Sequence, residues 1–306
     1  MNKFIKCLVD PFYGCSKVLN RLAPLISNDE LYVKLDYFFA YKHRLNLDNP
    51  QLYGEKLQWL KLYDRNPVYS MMVDKYVVKE YIGKLIGPEH IIPTLGVWER
   101  FDDIDFDELP NQFVLKCTHD SGGLVICKDK LNLDIDKTRI KISKCLKRNY
   151  FIGTREYPYK NVKPRVLAEK YMEDNLTQAL VDYKVLCFNG RAKLIELYLG
   201  RYSKNLTLDF YDTNWVKTTL SQGTFGPNSD VDYPRPVNLE RMIELSEVIA
   251  KDMAHCRVDW YEINGRLFFG EITFYDGSGL SPFDDIKDEL VLGSWIDLSR
   301  AYNQKG

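Results

Sequence analysis

The segment from residue 257 to residue 273 restricts the fold of this chain more than any other stretch. It contains two short runs of mainly apolar residues joined at Asn264-Gly265, a dipeptide that strongly favours a two-residue hairpin turn. Two acids, Asp259 and Glu271, interrupt strands that otherwise suit burial. If the strands pair across the turn, both carboxylates approach the same edge. Such a pair can hold a hard divalent cation that also binds phosphate oxygens.

Arg257 adds a permanent positive charge beside these acids. A guanidinium in this place suits the charge that develops on a transferred phosphoryl group. The alternative is a surface hairpin whose acids pair with nearby Arg or Lys side chains. The segment alone leaves the two interpretations open.

The composition is that of a globular protein without a strongly basic balance. The 306 residues are 45% hydrophobic and 13% aromatic, and the formal net charge is −1. This argues against a general nucleic-acid binder. No apolar run reaches the length of a membrane span, and residues 1–9 favour a terminal helix over a signal peptide. Seven dispersed cysteines without a C-x-x-C pair indicate reduced thiols and therefore a cytoplasmic location. A position at the inner face of the membrane is compatible with this expectation.

Helical and strand patterns are mixed along the chain. Helical apolar spacing predicts helices over residues 31–41, 55–63, 74–85, 138–147 and 239–253, with Ser27 or Asn28 and Asp74 as candidate caps. Short apolar runs predict strands over residues 113–115, 124–126, 166–168, 183–188 and 192–199. No internal repeat is visible. The mixture indicates an α+β enzyme with several lobes.

A glycine-containing turn follows the strand predicted at residues 113–115. Lys116 stands immediately before the turn, which contains His119, Ser121, Gly122 and Gly123. Glycine lets backbone N–H groups approach phosphate oxygens, and a lysine neutralises their charge. The Walker order of residues is absent, and an ordinary hairpin turn is the alternative. For His119, a role in stabilising the turn is favoured over proton exchange.

Two later segments strengthen the phosphate interpretation. Glu169, Lys170 and Tyr171 end a predicted strand, where backbone and acid can hydrogen-bond a nucleotide. Asp182 and Lys184 form a charged pair at the start of the next strand. Each could be an ordinary surface ion pair of little energetic value, but their combination with Lys116, Asp259 and Glu271 is harder to attribute to chance.

The ordered set of short motifs resembles the ATP-grasp superfamily, and more closely its TupA-like branch, which is associated with bacterial surface-polysaccharide biosynthesis. The likeness extends from about Leu45 to about Leu298. The motifs that carry it are Asn49-Pro50, Gly54-Glu-Lys-Leu-Gln-Trp59, Asp74-Lys-Tyr76, Phe113-Val-Leu-Lys116, Ala168-Glu-Lys170, Asp182-Tyr-Lys184, Phe188-Asn-Gly190, Arg257-Val-Asp259 and Phe269-Gly-Glu271-Ile-Thr-Phe274.

The resemblance implies an ATP-grasp-like α+β fold with a nucleotide cleft between two lobes. Residues 1–110 would form a mostly helical N-terminal region, residues 111–168 a small lobe with the phosphate loop, and residues 169–306 a large lobe with the metal site. ATP and Mg²⁺ would be the cofactors. Asp259 and Glu271 would bind the metal, and Thr273 stands where many relatives have a third, Asn ligand. The implied ATP contacts are Lys116, His119, Ser121, Gly122, Gly123, Glu169, Lys170, Tyr171 and Lys184, and Arg257 and Lys184 are the catalytic candidates.

The implied reaction is ligation of a carboxylate to an amine through an acyl phosphate. The TupA-like branch points to a uronic-acid-containing saccharide and an amino acid or other amine, with peripheral association with polysaccharide assembly machinery. Arg201 is a candidate for binding an anionic substrate, and Gly277, Ser278 and Gly279 are candidates for a substrate loop. A solvated arginine and a flexible connection are the alternatives. Tyr198, Tyr202, Trp260 and Tyr275 offer sugar-stacking surfaces, although packing roles are favoured.

Two other classes of function compete with the ligase. A nucleotide-sugar glycosyltransferase would use Asp103-Ile-Asp105 as a metal-binding D-x-D motif, but this short acidic stretch is more typical of a solvated face. A noncatalytic nucleotide-binding or polysaccharide-binding protein would not need the two acids of the hairpin. Consumption of a donor sugar or formation of ADP distinguishes these alternatives.

Overall fold

Two antiparallel sheets organise the chain in the computed structural model, which describes residues 10–175, 180–199, 206–223, 226 and 228–302. The smaller sheet contains β1 (Thr94–Trp98), β2 (Phe113–Cys117), β3 (Leu124–Cys127) and β4 (Val166–Lys170), in the order β1-β4-β2-β3. The larger sheet contains β5 (Asp182–Phe188), β6 (Arg191–Leu199), β7 (Thr207–Tyr211), β8 (His255–Ile263) and β9 (Arg266–Thr273), in the order β7-β6-β5-β8-β9. Together with the helices, the sheets confirm the predicted α+β class.

Helices precede, separate and follow the sheets. Before β1 the structure has α1 (Pro11–Leu22), α2 (Asp29–Tyr41), α3 (Tyr53–Tyr63), α4 (Val68–Val73) and α5 (Val77–Ile86). Later helices are α6 (Ile135–Leu146), α7 (Tyr150–Thr154), α8 (Leu239–Ala250) and α9 (Ile286–Ser294). Within the described residues, no helix combines the length and apolar character needed to cross a membrane.

Side-chain caps explain where several helices begin. Asn28 accepts a hydrogen bond from Leu31 N at 2.9 Å, so it, rather than Ser27, caps α2. Asp74 accepts from the backbone N of Tyr76 at 3.0 Å and of Val77 at 3.2 Å, which confirms its predicted capping role before α5. The helix predicted to reach residue 253 ends earlier, at Ala250. The helix predicted for residues 1–9 lies outside the described residues.

Each sheet has its own hydrophobic core. The larger core joins the five-stranded sheet to α3, α4, α5, α8 and α9. The smaller core packs β2 and β4 against α6, where Phe113, Leu115 and Ile142 are fully buried. Burial of each such side chain contributes roughly 1.5–3 kcal/mol. The five helices before β1 therefore do not form an isolated unit, because α3 to α5 complete the core of the larger sheet.

The smaller sheet contains a strand from the predicted N-terminal region. Strand β1 pairs antiparallel with β4, so the smaller sheet includes a strand that precedes residue 111. Ile91, just before β1, also forms an isolated parallel bridge with Phe269 of β9. The boundaries themselves remain a prediction.

Candidate functional site

A row of charged side chains crosses the larger sheet on one face. In the strand register, Glu196 of β6 lies opposite Lys184 of β5, Lys184 lies opposite Asp259 of β8, and Asp259 lies opposite Glu271 of β9. Paired residues on adjacent strands point to the same face of a sheet. The Asn264-Gly265 turn has φ values of 50° and 72°, which fits the tight hairpin that the sequence predicts. The predicted approach of Asp259 and Glu271 thus depends on the hairpin and on a bulge between Asp259 and Trp260, which shifts the register by one residue.

Lys184 is buried in the centre of this row. Its ammonium group contacts the Asp259 carboxylate and lies 3.4 Å from Asp182. Burial and the nearby Arg257 would lower the pKa of Lys184, but Asp259, Asp182 and Glu271 outweigh them and raise it. The lysine therefore stays charged, and the sheet presents a fixed cation beside the two acids.

Arg257 binds the same aspartate on its own strand. Its Nε donates to Asp259 Oδ1 at 2.7 Å and its Nη2 donates to Asp259 Oδ2 at 2.9 Å. The Nη1 atom contacts Asp276, and Nη2 donates to Thr273 Oγ1 at 3.3 Å. Bidentate pairing fixes the plane of the guanidinium. Arg257 is therefore oriented along the row of acids, where the sequence predicted a cation.

Glu271 is the most accessible acid of the row. Its side chain is 38% exposed, and the Lys75 Nζ lies 3.3 Å from it. Burial would raise the pKa of Glu271, but Lys75, Lys184, Arg257 and Lys116 lower it to about 2. An ionised carboxylate open to solvent can exchange its ammonium partner for an incoming cation.

Lys116 is held in the smaller sheet by a buried acid. Its Nζ lies 2.6 Å from Glu169, which also contacts the Lys79 ammonium group. Burial would raise the pKa of Glu169, but Lys116 and Lys79 lower it. Glu169 thus fixes two lysines, a role that the sequence did not predict for it. Its two neighbours in the predicted nucleotide set differ in setting: Lys170 is exposed, and the Tyr171 ring lies under the Lys128 ammonium at 5.6 Å.

The predicted phosphate turn connects β2 to β3. Asp120 Oδ1 accepts from Gly123 N at 3.1 Å, and a Cβ atom on Gly123 would lie 2.7 Å from Cys117 Sγ. Gly122 has a φ of 124° and is exposed with Ser121. The glycines thus serve the positive φ and the close packing of this turn.

Two further contacts hold the turn in place. The buried His119 ring lies with Nε2 3.2 Å from the Cys145 carbonyl and 3.1 Å from the Arg148 carbonyl. These contacts support the turn-stabilising role of His119 rather than a direct phosphate contact. Lys75 Nζ donates to the Asp120 carbonyl at 3.0 Å. Because Lys75 also faces Glu271, it links the turn to the acids of the larger sheet.

Glu196 and Asp276 belong to the site but were missed from the sequence. Burial and Asp276 raise the pKa of Glu196 well above its ordinary range, so its carboxyl is neutral. Burial would raise the pKa of Asp276 as well, but the neighbouring Arg257 outweighs it and lowers the pKa. For Glu196, the signal in the sequence was a single acid between Ile195 and Leu197 in an apolar strand.

The predicted substrate residues are only partly described. Gly277, Ser278 and Gly279 form a short turn with φ values of 52°, 59° and 62°, and Lys61 Nζ donates to the Ser278 carbonyl at 2.7 Å. Arg201 and Tyr202 lie outside the described residues. Trp260 and Tyr275 are buried in the larger core, as favoured, and Tyr198 lies with its ring 5.9 Å from Lys184 Nζ.

The acids of the competing glycosyltransferase hypothesis, Asp103 and Asp105, are exposed and lie between β1 and β2. Asp103 accepts from Arg100 Nη2 at 2.9 Å, and Asp105 accepts from Asp107 N at 2.9 Å. Both carboxylates thus make local contacts. Elsewhere among the described residues, Cys117, Asp120 and Cys145 form a buried group whose ligand atoms lie within 4.8 Å of one another. Burial raises the pKa of the Cys117 thiol to about 12, which disfavours metal binding there.

Comparison with known proteins identifies one family. A family model described as TupA-like ATPgrasp matches residues 55–297, which is most of the chain. The curated proteins contain no match. Among solved structures, D-alanine–D-alanine ligase from Bacillus anthracis complexed with ATP is 17% identical, with a TM-score of 0.40, over 67% of this chain and 55% of that chain. This chain therefore spans little more than half of that ligase.

Two further solved structures are similar to the same degree. D-alanine–D-alanine ligase from Helicobacter pylori is 17% identical over 80% of this chain and 69% of that chain, with a TM-score of 0.41. Phosphoribosylamine–glycine ligase from Thermotoga maritima is 13% identical over 69% of this chain and 50% of that chain, also with a TM-score of 0.41. The family match alone carries the assignment.

Proposed function

This chain belongs to the TupA-like ATP-grasp family, and on that premise we propose that it is an ATP-dependent ligase that joins a carboxylate to an amine. The observation that supports the proposal is the row Lys184–Asp259–Glu271 across three adjacent strands. Cations at Lys75 and Arg257 flank the two acids. Such a row combines ligands for a divalent cation with donors for phosphate oxygens.

The residues fit Mg²⁺ as the implied metal. Asp259 and Glu271 supply oxygen ligands, and Mg²⁺ sites commonly use one or two carboxylates together with substrate phosphates and water. Thr273 stands where many members of the superfamily resembled have an Asn ligand, so it is a weaker candidate for a third ligand. When bound, the ion would neutralise charge on the nucleotide phosphates.

The charged side chains of the site would bind the phosphates of ATP and stabilise the phosphoryl group during its transfer. Lys116 in β2, Lys75 just before α5 and Lys184 in the centre of the larger sheet are proposed to bind phosphate oxygens. Arg257 stabilises charge on the phosphoryl group as it is transferred. A substrate carboxylate oxygen attacks the γ-phosphorus while the bond to ADP breaks, which gives an acyl phosphate and ADP. An amine nitrogen then bonds to the acyl carbon, phosphate leaves, and the amine loses a proton.

The proposed carboxylate substrate is a uronic acid, and the proposed nucleophile is an amino acid or another amine. This part of the proposal follows from the TupA-like resemblance to proteins of surface-polysaccharide biosynthesis rather than from any residue of the site. Association with polysaccharide assembly machinery is proposed on the same ground. The turn at Gly277–Gly279, beside Arg257 and Asp276, is the proposed place for the acceptor.

ADP release is the test of this function. The protein is incubated with ATP, Mg²⁺ and a panel of uronic acids and amines, and ADP, phosphate and product mass are recorded. We expect release that depends on both substrates and a product mass equal to their sum less one water. Asp259→Asn should abolish turnover, whereas Glu99→Gln, an exposed acid paired with Lys163, should not. Consumption of a nucleotide sugar without ADP formation would refute the ligase in favour of a transferase.

A further inference from the structure

Three segments of the chain meet where β2 enters the phosphate turn. The backbone N of Thr118, the first residue after β2, donates to the Arg165 carbonyl at 2.9 Å. The Thr118 carbonyl accepts from the backbone N of Lys75 at 3.1 Å. Thr118 therefore joins the residue that precedes β4 to the segment that leads into α5.

One ion pair closes this arrangement through side chains. Arg165 Nη2 donates to Asp74 Oδ2 at 2.6 Å, and the two side chains are only 19% and 6% exposed. The other oxygen, Asp74 Oδ1, caps α5 by accepting from the backbone N of Tyr76 and of Val77. The Arg165 guanidinium also lies 5.1 Å from the centre of the Tyr76 ring. A charge-assisted hydrogen bond that is shielded from solvent and stacked on a ring holds its partners more firmly than an exposed pair does.

This ring of contacts fixes the backbone of Lys75. Its own N is bound to Thr118, and the ion pair holds the residue that precedes it. From this backbone the Lys75 Nζ donates to the Asp120 carbonyl in the phosphate turn at 3.0 Å and lies 3.3 Å from Glu271 Oε2. The ammonium group is thus held between the turn of the smaller sheet and the acids of the larger sheet.

We propose that Arg165 and Asp74 are positioning residues, which hold Lys75 where its ammonium group binds a phosphate of ATP. The inference rests on the proposed function, because it presumes that ATP binds beside the phosphate turn. Arg165 acts through Asp74 and the Lys75 backbone, since its guanidinium is already bound to the aspartate. A lysine side chain is long and flexible, so a fixed backbone reduces the entropy that is lost when the ammonium group binds a phosphate.

The opposite charges of the pair provide the first test. Arg165→Gln removes a positive charge near the site, whereas Asp74→Asn removes a negative charge and leaves a residue that can still cap α5. Long-range electrostatics alone would make Arg165→Gln weaken ATP binding and Asp74→Asn strengthen it. If the pair positions Lys75, calorimetry with ATP and Mg²⁺ should show both variants binding about fivefold to twentyfold more weakly than the wild type. The double variant should bind as weakly as either single variant, because one substitution already breaks the ion pair.

Removal of Lys75 provides the second test. In protein that carries Lys75→Gln, a further Arg165→Gln or Asp74→Asn should change the affinity for ATP by less than about twofold, because the group that they position is gone. A general loosening of the fold, or a direct contact between Arg165 and a phosphate, would weaken ATP binding in this background as well.

Lys163→Gln serves as the matched control. It removes a cation from the same segment, where the exposed Lys163 side chain contacts Glu99, and should bind ATP as the wild type does. Thermal unfolding of every variant establishes that it is folded at the temperature of the calorimetry. If Arg165→Gln does not fold, Asp74→Asn with and without Lys75→Gln carries the same test.

An Asp74→Asn variant that binds ATP as tightly as the wild type, or more tightly, would overturn the inference. A loss from Arg165→Gln that is equally large with and without Lys75 would overturn it as well. Wild-type protein that binds no ATP in the presence of Mg²⁺ would refute the proposed function itself.

Discussion

Replacement of Glu271 by glutamine tests whether the acids of the larger sheet are held by the cations around them. The change keeps the size of the side chain and removes one negative charge from among Lys75, Lys184, Arg257 and Lys116. The four cations then lose one of the carboxylates that offset their mutual repulsion, and Lys75 loses its ion-pair partner Glu271. We therefore expect Glu271→Gln to be less stable than the wild type in the absence of metal and nucleotide.

The size of the effect follows from the pKa. The fall from the ordinary pKa of 4.5 to about 2 for Glu271 corresponds to roughly 3.4 kcal/mol of stability. Because 38% of the side chain is exposed, solvent screening reduces the expected loss to about 1–2 kcal/mol.

The pH dependence has a definite sign. A carboxylate whose folded pKa is depressed stabilises the fold fully above its unfolded pKa, and this contribution is lost as the pH falls toward the folded pKa. The stability difference between wild type and Glu271→Gln should therefore be complete above about pH 5, and about half of it should remain by pH 3.

Urea unfolding at pH 7 and at pH 3.5, in the presence of a chelator, measures this difference. Glu80→Gln removes an exposed acid that pairs with Lys84 and should leave the free energy of unfolding nearly unchanged. A Glu271→Gln variant as stable as the wild type at pH 7, or a difference that does not shrink at low pH, would refute the electrostatic account of the site.

Three further predictions concern the phosphate turn, ATP binding and the buried acid Glu196. Gly123→Ala should lower the free energy of unfolding by about 1–3 kcal/mol, because its Cβ would lie 2.7 Å from Cys117 Sγ. Gly153→Ala is the control in thermal unfolding and should not destabilise the protein, because the space around Gly153 is open. Lys75→Gln should weaken ATP binding by about tenfold to a hundredfold, since one charge-assisted hydrogen bond contributes roughly 1.5–3 kcal/mol, and calorimetry with ATP and Mg²⁺ would contradict this if the affinity were unchanged. Because burial holds the pKa of Glu196 high enough to keep its carboxyl neutral, Glu196→Gln should change the free energy of unfolding by less than about 1 kcal/mol at pH 7; a larger loss in urea unfolding would indicate an ionised acid.

Much of the secondary structure was readable from local patterns, and the remainder was not. Alternating or continuous apolar runs predicted β2 to β6, and caps at Asn28 and Asp74 predicted two helix starts. Helices α1, α4, α7 and α9 and strands β1 and β7 were not predicted. The short helix α7 is framed by Pro-containing and aromatic sequence, where propensity is weak and packing decides the conformation.

Some features of the candidate site were likewise predictable from the local sequence, and others were not. Asn264-Gly265 sets a two-residue turn, and the turn fixes the register from Ile263↔Arg266 to Trp260↔Phe269. That register alone would place Asp259 opposite Gly270, but a bulge between Asp259 and Trp260 shifts it by one residue and brings Asp259 opposite Glu271. Lys116 and the glycines of the phosphate turn are also local features. For the substrate loop, the sequence identified Gly277–Gly279 but gave no partner for it.

The sequence by itself determined which residues carry charge and which turns are tight, because both depend on neighbours along the chain. Only the tertiary structure placed β5 beside β8, which brings Lys184 against Asp259, 75 residues away. It likewise brought Lys61 to Ser278, and Lys75 to both the phosphate turn and Glu271. Strand order and helix placement depend on burying whole apolar faces together, so these contacts form when the cores assemble and have no signature in a local segment.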